Sequence, residues 1–94
     1  MTFSAETVLQ QLGGNRFRAM TGANNFTKDA NSITFKLPKA ENSIKYVSIT
    51  LNGMDTYDIK FTTQSGKTVK EANDVYAEDL RKIFTENTGL HTSL

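Results

Sequence analysis

Apolar residues recur along this chain with two different periods, and each change of period marks a boundary between elements. Val8, Leu9 and Leu12 form one helical stripe, which predicts a short helix over Ala5–Leu12, capped by Ser4 and ended by Gly13-Gly14. Glu6 falls in its first turn, where the helix dipole favours an anion. A helix this short is not stable alone in water and must rest on other elements. From Arg16 to Thr21 the pattern alternates, with Phe17 and Ala19 on one side and Arg16 and Arg18 on the other, which predicts a strand. The stretch Gly22–Ser32, with Asn24, Asn25, Phe26 and Lys28, reads as a long polar loop. Ile33, Phe35 and Leu37 then alternate with Thr34 and Lys36 as a half-buried strand that Pro38 stops.

In the next strand Val47, Ile49 and Leu51 share one face, and Tyr46, Ser48 and Thr50 the other. Asn52-Gly53 is the signature of a two-residue hairpin turn, but that turn would set Ile49 opposite Thr56 and mix the faces. A three-residue loop keeps them matched, pairing Leu51 with Asp55, Ile49 with Tyr57 and Val47 with Ile59. The following hairpin turns at Gln64-Ser65-Gly66, with Gly66 left-handed, Thr63 opposite Lys67 and Phe61 opposite Val69. Its second strand is expected over Lys67–Glu71. Asp74 then caps a final helix with Glu78 and Asp79 near its positive end. Tyr76, Leu80, Ile83 and Phe84 make its apolar face, and Gly89 ends it.

These elements predict an α+β fold: an antiparallel meander of four to five strands, flanked by a short N-terminal helix and a C-terminal helix on one face. At 94 residues the chain fits a single domain over 1–94. Its hydrophobic fraction of 37 % is low, while thirteen Thr and eight Asn suit exposed strand faces and turns. That balance favours a thin sheet with one wet face, and the small size makes a homo-oligomer reasonable. No apolar run approaches a membrane span, and no signal-peptide pattern opens the chain, so no membrane role and a cytoplasmic setting are expected.

The candidate chemistry is sparse. The chain has no cysteine and a single histidine, His91, in the tail, so neither a thiolate nucleophile nor a His/Cys metal cluster is expected. The near carboxylate pairs Asp55/Asp58 and Glu78/Asp79 read as turn polarity and dipole compensation. The six serines and thirteen threonines have no accompanying base, and no phosphate-loop, dinucleotide or nucleophile-elbow motif occurs. No catalytic residue, metal or cofactor is expected, and the protein is read as a non-enzyme.

Binding is the remaining class. Thr34, Lys36, Tyr46, Ser48, Thr50, Lys60 and Thr62 project from the open face of the predicted sheet, with Arg16 and Arg18 placed to join it at one edge. A basic, hydroxyl-rich sheet with an aromatic suits nucleic acid. Asp58 on the same face and a net charge of only +1 argue against it. The order helix, strands, helix also resembles double-stranded-RNA-binding domains, although Asp74-Val75-Tyr76-Ala77-Glu78-Asp79 is acidic where those domains place lysines. For a protein partner, Phe26 and the edge strands are the candidate contacts, with Phe26 otherwise folding back to seal the core. The candidate binding residues are therefore Arg16, Arg18, Phe26, Lys36, Tyr46 and Lys60.

The segment from Gln11 to Phe26, with Gly13-Gly14-Asn15-Arg16-Phe17-Arg18 at its centre, resembles a small phage and prophage protein family of unknown function. The likeness resumes at Tyr46–Thr50, Met54–Phe61 and Val75-Tyr76-Ala77, and runs through Leu80–Leu94 with its ending Thr88-Gly89-Leu90-His91-Thr92-Ser93-Leu94. The resemblance brings no catalytic motif and no ligand. It implies a virally encoded accessory protein in the host bacterial cytoplasm, bound to a host or phage protein or to nucleic acid.

Overall fold

The computed structural model describes residues 5–38 and 40–90. The Ser4 cap and His91 lie outside the described residues. The chain forms α1 (Ala5–Leu12), α2 (Asn15–Thr21), β1 (Asn24–Lys28), β2 (Ser32–Lys36), β3 (Tyr46–Leu51), β4 (Tyr57–Thr62), β5 (Thr68–Val75) and α3 (Leu80–Thr88), with a 3₁₀ turn over Ala77–Asp79 leading into α3. The five strands pair in sequence order as an antiparallel meander. The expected α+β architecture is therefore present, and the helices lie on one face of the sheet.

Burial follows the alternation read from the sequence. Ile33, Phe35, Val47, Ile49, Ile59 and Phe61 are buried beneath Val8, Leu12, Phe17, Leu80 and Phe84 of the helices. Three phenylalanines join the layers: the Phe17 ring centre lies 5.4 Å from that of Phe35 and 5.2 Å from that of Phe84, both edge-on. Edge-on contact sets the positive rim of one ring against the negative face of the next.

Several local expectations are corrected. Arg16–Thr21 is helical because Phe17 and Thr21, four residues apart, are both buried, whereas Ala19 is exposed. The buried Thr21 hydroxyl donates to Phe17 O at 2.7 Å and accepts from Ala23 N at 3.2 Å, so its polarity is satisfied inside the fold. The sheet's first strand instead lies within the expected loop Gly22–Ser32, as β1, with a bulge between Asn24 and Thr27 and Asn25 at φ 55°. The β3–β4 loop is odd, as expected, but two residues longer on each pairing: Leu51 faces Tyr57, Ile49 faces Ile59 and Val47 faces Phe61. In the next hairpin Thr63 N donates to Lys67 O at 2.9 Å and Gly66 has φ 92°, but Phe61 faces Lys70 because a bulge intervenes before Thr62 and Thr68.

Strand β5 also runs past Glu71 to Val75, so Asp74 lies in the sheet and does not cap α3. Asp74 has φ 55° beside a second bulge, and its carboxylate receives Asn52 Nδ2 at 3.2 Å. Tyr76 is 62 % exposed and leaves the apolar helical face to Leu80, Ile83 and Phe84. Gly89 ends α3 as expected, left-handed at φ 71°, with its N–H donating to Thr85 O at 2.9 Å.

Tyr57 is buried at the start of β4, and burial raises its phenol above the ordinary value of 10.0. The unfolded chain thus releases this proton first as pH rises, so the contribution is intact below the ordinary value and is lost as pH climbs through it toward the raised one. Urea titrations between pH about 9 and 11 are expected to show a shallower loss of stability in Tyr57→Phe than in the parent chain.

Candidate binding surfaces

The register assembles the open face row by row. Lys36, Tyr46 and Thr62 are cross-strand neighbours in the first row, and Thr34, Ser48, Lys60 and Glu71 in the second. Ser32, Thr50 and Asp58 make the third. Thr34 Oγ1 donates to Ser48 Oγ at 3.2 Å, which ties two hydroxyls of β2 and β3 together. Lys36, Tyr46 and Lys60 therefore share one surface, as the sequence suggested. Glu71 stands across from Lys60, and Asp58 across from Thr50, so the face is basic only at the Lys36 end.

Arg16 and Arg18 are not on that face. Both are exposed on α2, whose Phe17 packs into the opposite, helical side. Phe26 projects to the same side, half-buried, with its ring centre 5.5 Å from that of Phe35. The Arg18 guanidinium carbon lies 4.7 Å from the centre of the Phe26 ring. Phe26 thus closes the edge of the core, and the cation over it covers the ring's negative face. The six sequence candidates divide into two groups on opposite sides of the sheet, Lys36/Tyr46/Lys60 and Arg16/Arg18/Phe26.

A third surface was not singled out by the sequence. It lies where the β3–β4 loop meets the end of β5. Asn52 Oδ1 accepts from Met54 N at 2.8 Å, Thr56 N at 3.3 Å and Thr56 Oγ1 at 3.0 Å. Asn52 Nδ2 donates to Asp58 Oδ1 at 3.1 Å and to Asp74 Oδ1 at 3.2 Å. Asp74 N donates to Asp58 Oδ1 at 3.2 Å, which closes the ring of contacts. This network joins the loop of Met54 to the strand end that leads into Tyr76. Met54 is 79 % exposed and Tyr76 62 %, the two most exposed large apolar side chains among the described residues. The segments that meet here, residues 52–58 and 71–79, carry Asp55, Asp58, Glu71, Asp74, Glu78 and Asp79 and no lysine or arginine. The available signal was charge segregation, but it becomes visible only once the longer loop and longer β5 bring the segments together.

The described residues also form open hollows on the surface. One of about 500 Å³, open to solvent, is lined by Pro38, Ile44, Lys45, Thr63 and Gln64 among others. A smaller one of about 190 Å³ lies between Glu6, Gln10, Gly14 and Arg18. Among the described residues no group of three His, Cys, Asp or Glu is placed to hold a metal ion, and no helix is long and apolar enough to cross a membrane. Comparison of the chain with protein-family models, with curated proteins and with solved structures returned no match.

Proposed function

We propose that this protein is a phage- or prophage-encoded accessory protein, non-enzymatic, that acts in the host bacterial cytoplasm by binding a host or phage protein. The observation that carries the binding reading is the Met54–Tyr76 end of the sheet. Two exposed apolar side chains stand on the segments that the Asn52 network joins, which also carry Asp55, Asp58, Asp74, Glu78 and Asp79 and no lysine or arginine. Glu71 lies further along β5, across from Lys60. Exposed aromatic and methionine side chains are favoured anchors, because burying them removes apolar surface from water at little cost in ordering. An acidic rim raises the encounter rate with a basic surface and disfavours acidic partners. The partner is accordingly a protein that offers an apolar contact flanked by lysine or arginine. The setting in a phage-infected cell rests on the sequence resemblance alone.

Immobilised protein is expected to capture such a partner from host lysate in a salt-sensitive manner. The double variant Met54→Ala with Tyr76→Ala is expected to weaken that capture at least about tenfold, as loss of interface anchors does. Both positions are exposed, so circular dichroism and melting should be nearly unchanged. Lys36→Ala with Lys60→Ala is the control and should bind normally. Undiminished capture by the Met54/Tyr76 variant would remove this surface from the proposal, and no capture by the parent chain would count against protein binding altogether.

The second reading, nucleic acid on the open face, is favoured by the cross-strand pair of Lys36 and Tyr46 with Lys60 one row away. The separation of Arg16 and Arg18 from that face leaves it with little phosphate-binding charge. A gel shift at low salt that Lys36→Ala with Lys60→Ala abolishes would establish it over the first reading.

A further inference from the structure

We propose that Asn52 is a deamidation site that the fold holds inactive, and that its conversion to aspartate unseats the loop carrying Met54. Asn52 is followed by Gly53. In such a pair the backbone nitrogen of the glycine attacks the asparagine Cγ. The bond from Cγ to the side-chain nitrogen breaks, ammonia leaves, and a five-membered imide forms. Water then opens the ring at either carbonyl to give aspartate or isoaspartate, so the net change is water in and ammonia out. Glycine favours the attack because it has no Cβ to crowd the approach. Gly53 is exposed, and even a Cβ built there would meet nothing within 4 Å, so its surroundings offer no steric protection.

Protection comes from Asn52 itself. Its carboxamide is held by three contacts to Oδ1 and two from Nδ2. Its backbone is fixed as well, with Asn52 N donating to Thr56 O at 2.9 Å and Asp55 N donating to Asn52 O at 3.2 Å. Ring closure makes the planar Cγ tetrahedral and expels Nδ2, so the contacts that hold the carboxamide flat must be given up. Reaction therefore proceeds only from a locally opened loop, and its rate follows the population of that opened state.

Conversion also changes the sign of the site. Nδ2 is the donor on which Asp58 Oδ1 and Asp74 Oδ1 converge. An anionic oxygen in its place would set three carboxylates against one another at hydrogen-bond distance, and two attractions would become repulsions. The loop then cannot reclose as before, which makes the change one-way. Because Met54 is anchored through Asn52 Oδ1, the exposed apolar surface moves with it. This inference stands whether or not that surface binds a partner.

The test is peptide mass mapping with isoaspartate detection on the full chain, incubated at mildly alkaline pH in buffer and in urea. Deamidation at Asn52 is expected to be at least about tenfold slower in buffer, since it must await local opening. Asp74→Ala should raise the rate in buffer several-fold and leave the rate in urea unchanged, while Gly53→Ala should suppress the reaction in both. Equal rates for the parent chain in buffer and urea would overturn the protection. For the second half, Asn52→Asp is expected to raise amide hydrogen exchange at Met54 and Thr56 at least about tenfold while β2 and β3 stay protected. Unchanged exchange there would overturn the unseating. Asn52→Ser removes the amide without adding charge and should raise exchange less; if it and Asn52→Asp both fail to fold, Asn52 serves the whole fold and the local device is overturned.

Discussion

Phe17→Ala is expected to lower the unfolding free energy by about 3–5 kcal/mol, the usual range for removing a buried aromatic ring. Phe17 is wholly buried, and its ring meets Phe35 of β2 and Phe84 of α3 edge-on. Its loss leaves a cavity where α2, the sheet and α3 meet, and also forfeits two aromatic contacts of roughly 0.5–1.5 kcal/mol each beyond area burial. Small domains have only about 5–15 kcal/mol in total, so the variant is expected to be marginal at 37 °C. At about 4–8 °C per kcal/mol for a chain of this size, the midpoint should fall by roughly 12–40 °C. Thermal and urea unfolding both read this. Phe17→Leu keeps much of the volume and should lose less than half as much. A loss below about 1 kcal/mol for Phe17→Ala would mean that the ring is not the joint between the layers.

Phe17 also shows where sequence reasoning works and where it stops. Strands β2, β3 and β4 were legible because Ile33/Phe35, Val47/Ile49 and Ile59/Phe61 keep strict alternation and are buried on one side. Arg16-Phe17-Arg18-Ala19 satisfies a strand period over four residues but is equally compatible with a helix. The residue that decides between them is Ala19: both periods put Thr21 on the side of Phe17, but only a strand puts Ala19 there too. The structure exposes Ala19 while it buries Thr21 with its hydroxyl bonded to Phe17 O. Strand β1 offered only Phe26 as an apolar position, so its composition looked like a loop. Asp74 has the chemistry of a helix cap. Asn52 and Thr56, distant in sequence, approach its carboxylate at 3.2 and 3.4 Å, and a local rule could not foresee them.

The same causes governed the candidate sites. Lys36, Tyr46 and Lys60 were placed together because they ride on the strands whose period was unambiguous. Arg16 and Arg18 were misplaced with their element, and the charge that a nucleic-acid face would need went with them. The Met54–Tyr76 end was hidden by two small register differences, the longer β3–β4 loop and the extended β5. The longer loop shifts the pairing by two residues and leaves the buried face unchanged, so the hydrophobic pattern could not detect it. Strand β5 carries two bulges that set Phe61 against Lys70 and leave Val69 exposed, which a strict alternation does not foresee.

Gly22→Ala is expected to cost roughly 2–5 kcal/mol, from a left-handed backbone penalty of about 1–2 and overpacking of about 1–3. Gly22 closes α2 at φ 71°, where its N–H donates to Arg18 O at 2.9 Å, so the chain cannot relax its backbone without opening the helix end. A Cβ there would also lie 2.9 Å from Cγ of Pro38, and a proline ring has little freedom to swing aside. Two other glycines separate these causes. Gly66 has φ 92° but open space around it, so Gly66→Ala carries the conformational penalty alone. Gly53 has open space and is not among the positive-φ glycines, so Gly53→Ala should change stability by no more than about 0.5 kcal/mol. The expected order of destabilisation in urea unfolding is Gly22, then Gly66, then Gly53. The excess of the first over the second measures the Pro38 contact, and Pro38→Ala in the Gly22→Ala background should recover that excess and no more. If Gly22→Ala and Gly66→Ala cost the same, backbone conformation alone sets the penalty and the close approach of β2's end to α2 contributes nothing.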